Sequence, residues 1–185
     1  YLAVARDYLL TYAEHFDSRV NFHALQDKSY MRIYYTGSFG IKAAWTYDMI
    51  YDALTPAQRA AIENGLLRRI VQMVRDSHGE NQSDGNAMRA PDYEWQAGQW
   101  NGVVYCNAGI AAIGFVLGDE AIIDHAVGNW KTYLARDVLT DGLWQEEDYH
   151  YGAFCMSAMV AIAEMAHQAG YREDLWTIRV PSRPH

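Results

Sequence analysis

The sequence predicts an all-α protein made of antiparallel helical hairpins. Apolar residues recur at spacings of three and four through most of the chain, which is the period of a helix with one buried face. Caps and glycine stops separate these runs by mostly short connections, and consecutive helices joined in this way pack as antiparallel neighbours. Half of the 185 residues are apolar, which is enough to build one substantial core.

The N-terminal part of the chain contains two predicted helices. Residues 1–16 place their apolar side chains on one helical face, and residues 39–53 form a second, largely apolar helical run. Between them, the stretch MRIYYTG at 31–37 fits a short strand and a helix equally well.

The clearest boundary in the sequence lies at residues 55–58. Thr55 is a suitable N-cap, Pro56 suits the first helical position, and Gln58 completes a capping box. The predicted helix continues from there to Ser77, although Gly65 within it costs about 1 kcal/mol relative to alanine.

Residues 77–99 are polar and rich in glycine, and this segment is too long for a bare connection in a compact domain. Loops of this length usually carry function or are disordered, and Trp95 and Trp100 near its end favour function. Flat aromatic rings pack well against the apolar faces of sugars. We therefore expect the loop to border a cleft in which Trp95, Trp100 and His78 contact a ligand, together with Trp144 and Glu146 further along the chain.

The C-terminal half contains three further predicted helices. Residues 102–117 are apolar and rich in small side chains, so they form a buried helix. Gly118 is a natural C-terminal stop, and Asp119 caps the next helix over residues 120–139. The last helix covers residues 152–169 and ends at a glycine.

Composition excludes several classes of function. A net charge of −8 argues against nucleic-acid or anionic-membrane partners, which need a basic surface. No metal-ligand spacing, phosphate-binding loop or nucleophile elbow occurs, so we expect no cofactor or metal. Cys106 and Cys155, the only cysteines, lie in apolar helical runs and are interpreted as buried hydrophobes. No apolar run approaches the roughly 18 residues of a membrane span.

Two polar segments lie at predicted helix N-termini and are the candidate site. One is AGQWNG, which contains Asn101, and the other is QEEDYHY at residues 145–151. Helix N-termini offer free N–H groups and a partial positive charge, so two adjacent ends would favour a carboxylate ligand. The Asn101 carboxamide can donate to such a carboxylate, and it can equally serve as an N-cap.

The second segment supplies candidate acid and base groups. Tyr149 and Tyr151 carry phenols that can move a proton if the pKa is lowered from about 10, and His150 lies between them. Residues two apart on a helix point about 200° apart, so only one tyrosine can face a given site. The acids at 146–148 suit the first turn of a helix electrostatically. Each tyrosine could equally be a half-buried aromatic residue.

Two other functions fit the same residues. A glycoside hydrolase would need a pair of carboxylates, for which Asp84, Asp92 and Glu94 in the long loop are candidates beside the acids at 146–148. A helical module that binds glycans without catalysis would use the aromatic residues alone.

Three stretches resemble the helical domain of heparinase II/III-like polysaccharide lyases. They are AAWTYDMIYDALTPAQRAAIENGL, WNGVVYCNAGIAAIGFVLGDEAIID and DGLWQEEDYHYGAF. The second stretch places Asn101 and Asn107 on two asparagines of the family pattern, and the third places Tyr151 on its catalytic tyrosine. Gly102, however, stands where some members carry a catalytic histidine, so the remaining catalytic histidine or arginine is not identified; His150 and His78 are possible substitutes.

The resemblance implies an α/α toroid and a carbon–oxygen lyase that acts by β-elimination on a uronic-acid-containing acidic polysaccharide. In that chemistry Asn101 neutralises the uronate carboxylate and Tyr151 transfers a proton. It also implies a bacterial protein that is secreted or periplasmic. Because the family toroid is longer, we expect residues 1–185 to be one helical domain, an incomplete toroid within a larger enzyme whose β-sandwich domains lie outside it.

Overall fold

The computed structural model describes residues 1–24, 29–77, 101–136, 138, 142, 144 and 149–179, with the side chains described outside 17–35, 76, 77 and 136. Seven α-helices cover most of these residues. They are α1 (Leu2–Ala24), α2 (Ser29–Ile50), α3 (Pro56–Ile62), α4 (Arg68–Ser77), α5 (Asn101–Leu117), α6 (Glu120–Arg136) and α7 (Tyr149–Gln168). A 3-10 turn follows α2, and a π-helical turn, Glu63–Leu67, joins α3 to α4. The predicted all-α class is confirmed.

The first two helices are longer than predicted. Helix α1 continues beyond residue 16, and α2 already includes residues 31–37, so the strand alternative for that stretch is wrong. Gly37 does not interrupt α2. It lies where the backbone of α2 packs closely against α5. A Cβ atom added at Gly37 would lie 2.5 Å from the Cα of Cys106.

The predicted boundary at residues 55–58 is confirmed in detail. The Thr55 hydroxyl accepts a hydrogen bond from the Gln58 N–H at 3.3 Å, and the Gln58 side chain accepts one from the Thr55 N–H at 2.9 Å. The structure shows why a glycine is needed at position 65 despite its cost to helix stability. A Cβ atom at Gly65, inside the π-helical turn, would lie 2.9 Å from the carbonyl oxygen of Ala13 in α1.

The start of α6 follows the predicted signals, but its end does not. Gly118 has a φ of +62°, and the Asp119 carboxylate accepts from the Ile122 N–H at 3.3 Å. Helix α6 ends at Arg136, earlier than the predicted residue 139. An isolated antiparallel bridge then pairs Val138 with Trp144.

Helices α2, α5 and α7 run parallel to one another. Gly37 of α2 lies against Cys106 of α5, while Gly40, one turn further along α2, lies against Ile113 further along α5. The residues in contact therefore advance in the same direction along both helices, as they do in a parallel pair.

Two ring contacts show that α5 and α7 are also parallel. The Tyr105 ring stacks on the Phe154 ring at 4.2 Å, and the Phe115 ring meets that of Tyr171, just beyond the end of α7, at 6.3 Å. The first turns of α5 and α7 consequently lie at the same end of the protein.

The helices between these three run in the opposite direction. Gly40 of α2 lies against Ile70 of α4, while the hydroxyl of Tyr47, later in α2, donates to Glu63 in the π-helical turn that precedes α4. The contacts of α6 with α5 are reversed in the same way, because Gly114 meets Ile122 whereas the earlier Asn107 reaches Ala126. Successive members of the series α2, α4, α5, α6 and α7 are thus antiparallel, as in helical hairpins. Closure of the hairpins into a toroid stays a prediction.

Helix α5 is the centre of the core. Every residue from Asn101 to Gly114 except Tyr105 is buried among α2, α4, α6 and α7. Within the described part of the chain, no helix is both long and apolar enough to cross a membrane.

Candidate active site

The candidate site lies at the end of the protein where α5 and α7 begin. The stacked pair of Tyr105 and Phe154 fixes the first turns of these two helices side by side. Asn101 lies one helical turn before Tyr105, and Tyr151 lies about one turn before Phe154, in the same direction along parallel helices. Asn101 and Tyr151 are therefore at one rim of the helical layer, although 50 positions separate them in the sequence.

Asn101 occupies the first residue of α5 and is 8 % exposed. Its carboxamide consequently lies in the first helical turn, where the backbone N–H groups lack intrahelical partners. Such a position combines two kinds of neutral donor, the carboxamide and the backbone, with the positive end of the helix dipole. The arrangement can stabilise a carboxylate without burying a cation.

The two tyrosines of α7 occupy different faces of that helix. Tyr151 is 49 % exposed and lies four and seven residues before Cys155 and Ala158, two buried core residues. Tyr149 is 86 % exposed and lies seven residues before Met156, on the exposed face. Residues four and seven apart share a face of a helix, so Tyr151 is on the side that meets the core and Tyr149 is on the side that meets solvent. Helical periodicity predicted this divergence.

His150 is exposed and falls between the two tyrosines in sequence. The residues three and four positions after it are Ala153, which is exposed, and Phe154, which is half-buried. The ring of His150 therefore belongs to the flank of α7 and not to its buried face. A catalytic role for His150 stays a prediction.

Trp144 is 2 % exposed and is among the largest fully buried side chains. It pairs with Val138 in an antiparallel bridge, and its Cβ lies 3.6 Å from the position that a Cβ atom would take at Gly152 in α7. In this position the indole packs within the core beneath the start of α7. Its predicted contact with a substrate stays a prediction, which in this arrangement would require the ring to leave the core.

Several predicted site residues lie outside the described residues. They are His78, Trp95, Trp100 and Glu146, together with the alternative acids Asp84, Asp92 and Glu94. The predicted role of the loop at 77–99 as a border of the cleft lies there too.

A polar cluster that the sequence did not predict lies beneath the rim, although one of its members, Asn107, was already matched to the family pattern. Asn107, two turns into α5, is fully buried and bonds to α6, whose Asn129 and His125 complete the cluster. Besides this match of Asn107 to the family pattern, the spacing of four residues between His125 and Asn129 places both of these on one face of α6.

Two features of the described part of the protein bear on metal and thiol chemistry. Among those residues, no three His, Cys, Asp or Glu side chains lie close enough together to hold a metal ion. Burial raises the pKa of the Cys106 thiol to about 12, and this group therefore stays protonated at neutral pH and is not a nucleophile.

Comparison with known proteins assigns the family. A family model described as alginate lyase matches residues 2–184, almost the whole chain. Neither the curated proteins nor the solved structures gave a match. Alginate lyases are polysaccharide lyases and therefore carbon–oxygen lyases, so the predicted enzyme class is confirmed, whereas the match does not support the finer heparinase II/III-like assignment. The chain belongs to the alginate lyase family.

Proposed function

We propose that this protein cleaves alginate, an unsulfated polymer of uronic acids, by β-elimination, with Asn101 and Tyr151 as its catalytic pair. The observation that carries the proposal is the shared rim of α5 and α7, which brings a carboxamide at a helix N-terminus and a half-exposed phenol to the same end of the protein. The match of nearly the whole chain to the alginate lyase family supports the same chemistry.

Asn101 acts on the carboxylate of the uronate. The C5 proton of a uronic acid becomes more acidic when negative charge on the adjacent carboxylate is stabilised, since the intermediate spreads its charge onto those oxygens. Donors that are already in place and shielded from water stabilise such charge without reorganisation. The low exposure of Asn101 shields its carboxamide from water, and the N–H groups at the positive end of α5 are held in place by the helix.

Tyr151 moves the proton. Elimination breaks the C5–H and C4–O bonds, forms a C4–C5 double bond, and places a proton on the departing O4. A phenol that abstracts the C5 proton as phenolate, or protonates O4 as phenol, serves one of these transfers. Tyr151 combines a location on the inner side of α7 with enough exposure to reach a ligand, whereas Tyr149 points away.

The charge of the surrounding segments favours an unsulfated polymer. Neither α5 nor α7 contains a lysine or an arginine. The sequence before α7 instead carries three consecutive acids at 146–148. Sulfate groups are usually recognised by arginine and lysine, so this rim suits a polymer whose only charge is one carboxylate per sugar, which Asn101 can neutralise.

The proposal is tested by assaying the full-length protein against alginate, heparan sulfate, chondroitin sulfate and ulvan. We expect ultraviolet absorbance from the C4–C5 double bond to rise with alginate and to stay flat with the sulfated polymers. New reducing ends without this absorbance would identify a hydrolase instead. Binding without any cleavage would identify a glycan-binding module, and absorbance only from a sulfated polymer would overturn the choice of alginate.

A further inference from the structure

We propose that Asn107 and Asn129 are positioning residues which fix the rotation of α5 and thereby aim the Asn101 carboxamide at the substrate. This inference rests on the proposed function of Asn101. It concerns a polar cluster, formed by the buried Asn107 and the partly buried Asn129 and His125, that lies beneath the catalytic rim and does not touch the substrate.

The first observation is the burial of Asn107. Among the side chains that the structure describes, three buried ones are polar, namely Thr36, Asn101 and Asn107, and two of these belong to α5. Asn107 has no exposed surface at all. A buried carboxamide is costly unless its donors and acceptor are satisfied, so Asn107 within an apolar helix requires hydrogen-bond partners on a neighbouring element.

The second observation is how the cluster is connected. The Nδ2 of Asn107 donates to the carbonyl oxygen of Ala126 at 2.9 Å, and its Oδ1 accepts from the Nδ2 of Asn129 at 3.2 Å. The same Nδ2 of Asn129 lies 3.1 Å from the Nε2 of His125, one turn earlier on α6. Asn129 is therefore held from one side by His125 while it holds Asn107 from the other.

The third observation concerns the composition of α5. The helix carries no charged residue, and glycines, Gly109 and Gly114, lie where it packs closely against α2 and α6. Apolar contacts are non-directional and tolerate small rotations, whereas hydrogen bonds between buried polar groups specify one register. The cluster is thus suited to fix the rotation of α5 about its own axis.

The geometry sets the scale of the effect. Asn101 lies six residues before Asn107 on the same helix, about 9 Å away along the axis. Because a side-chain tip lies roughly 6 Å from the helix axis, a rotation of α5 by about 10° would move the Asn101 carboxamide by about 1 Å. Misplacement of a catalytic group by 1 Å can reduce a rate by about 100-fold.

The test uses Asn129→Ala. Asn129 is only partly buried and belongs to α6, so this substitution changes no residue of α5, and Asn107 is kept. We expect kcat on alginate to fall by about 10- to 100-fold while KM changes by less than about threefold, since the carboxamide acts mainly on the charge of the transition state. Asn129→Asp, which removes both donated hydrogen bonds at constant size, should lose kcat to a similar degree.

The matched control is Ile122→Ala, which removes packing from the same α5–α6 interface at the other end of α5, against Gly114. This variant should lower Tm at least as much as Asn129→Ala but leave kcat within about twofold of the parent, because it loses packing and no directional bond. If Ile122→Ala and Asn129→Ala reduce kcat in proportion to their loss of Tm, the cluster is merely structural and the inference is wrong.

A double-mutant cycle with Asn101→Ala separates positioning from a general effect. If the cluster acts through Asn101, Asn129→Ala should lower kcat in the parent but have almost no further effect in the Asn101→Ala background. Equal losses in both backgrounds would overturn the inference while leaving the proposed function in place. Full activity of Asn101→Ala itself would instead overturn the catalytic role of Asn101, and the inference with it.

Discussion

Replacing Gly109 with alanine should push α2 and α5 apart and destabilise the protein. These two helices cross at Gly37 and Gly109, where a Cβ atom added to Gly109 would lie 2.1 Å from the Gly37 carbonyl oxygen. Ordinary contacts of a Cβ atom begin near 3.4 Å, so this position falls short by about 1.3 Å. The obstacle is a backbone atom, and no side-chain rotation can relieve it.

The magnitude follows from two opposing effects. Alanine in place of glycine inside a helix contributes about 1 kcal/mol of stability. Forcing extra volume into a close-packed core costs about 1–3 kcal/mol, and an overlap against rigid backbone belongs at the upper end of that range. The net loss is therefore about 2 kcal/mol, which corresponds to a fall in Tm of about 4–8 °C for a domain of this size.

Gly128→Ala in α6 is the matched control. A Cβ atom at Gly128 would meet nothing within 4 Å, so only the helical preference for alanine acts there. Thermal unfolding followed by circular dichroism should show Tm rising by about 2–4 °C for Gly128→Ala and falling for Gly109→Ala. If Gly109→Ala is as stable as the parent protein, the close crossing of α2 and α5 described above is wrong.

Two further predictions concern titrating groups. The hydrogen bond from Arg68, at 2.6 Å, lowers the pKa of Asp119, so the ionised carboxylate stabilises the fold at neutral pH and this contribution is lost as pH falls below about 4. Asp119→Ala, which also removes the cap of α6, should lose about 1 kcal/mol at pH 7, and the difference in Tm from the parent should shrink at pH 3; a difference that grows with acid would contradict the pairing. Cys106 and Cys155 are both buried, and burial raises the pKa of Cys106 to about 12, so a thiol reagent at pH 8 should modify them only after unfolding. Rapid modification of the native protein would show that these helices are not packed as described.

Local signals in the sequence predicted the helices and their caps, because these signals act within one turn of chain. The capping box at Thr55 and Gln58 and the left-handed glycine at Gly118 needed no tertiary information. The role of Gly37 could not be predicted, because an isolated glycine looks the same whether it ends a helix or admits another helix at close range. Only the partner surface on α5, which is remote in sequence, distinguishes the two.

The candidate site was predictable to the extent that helical periodicity governs it. The spacing of Tyr149 and Tyr151 indicated that the two side chains point apart, and the structure places them on the exposed and inner faces of α7. Burial of Trp144 could not be predicted, since it depends on packing against α7, which no local pattern in the sequence reveals. The link from Asn107 to Asn129 joins two helices and leaves no local pattern in either.

The most direct test of the catalytic assignment compares two tyrosine substitutions in the full-length enzyme. Tyr151→Phe and Tyr149→Phe each delete one hydroxyl from α7, and both should leave Tm almost unchanged. Because a single general acid–base group contributes about 10²–10⁴-fold to a rate, the ultraviolet assay on alginate should show a loss of that size for Tyr151→Phe and nearly full activity for Tyr149→Phe. Full activity of Tyr151→Phe, with or without a loss for Tyr149→Phe, would contradict the assignment of Tyr151 as the proton-transferring residue.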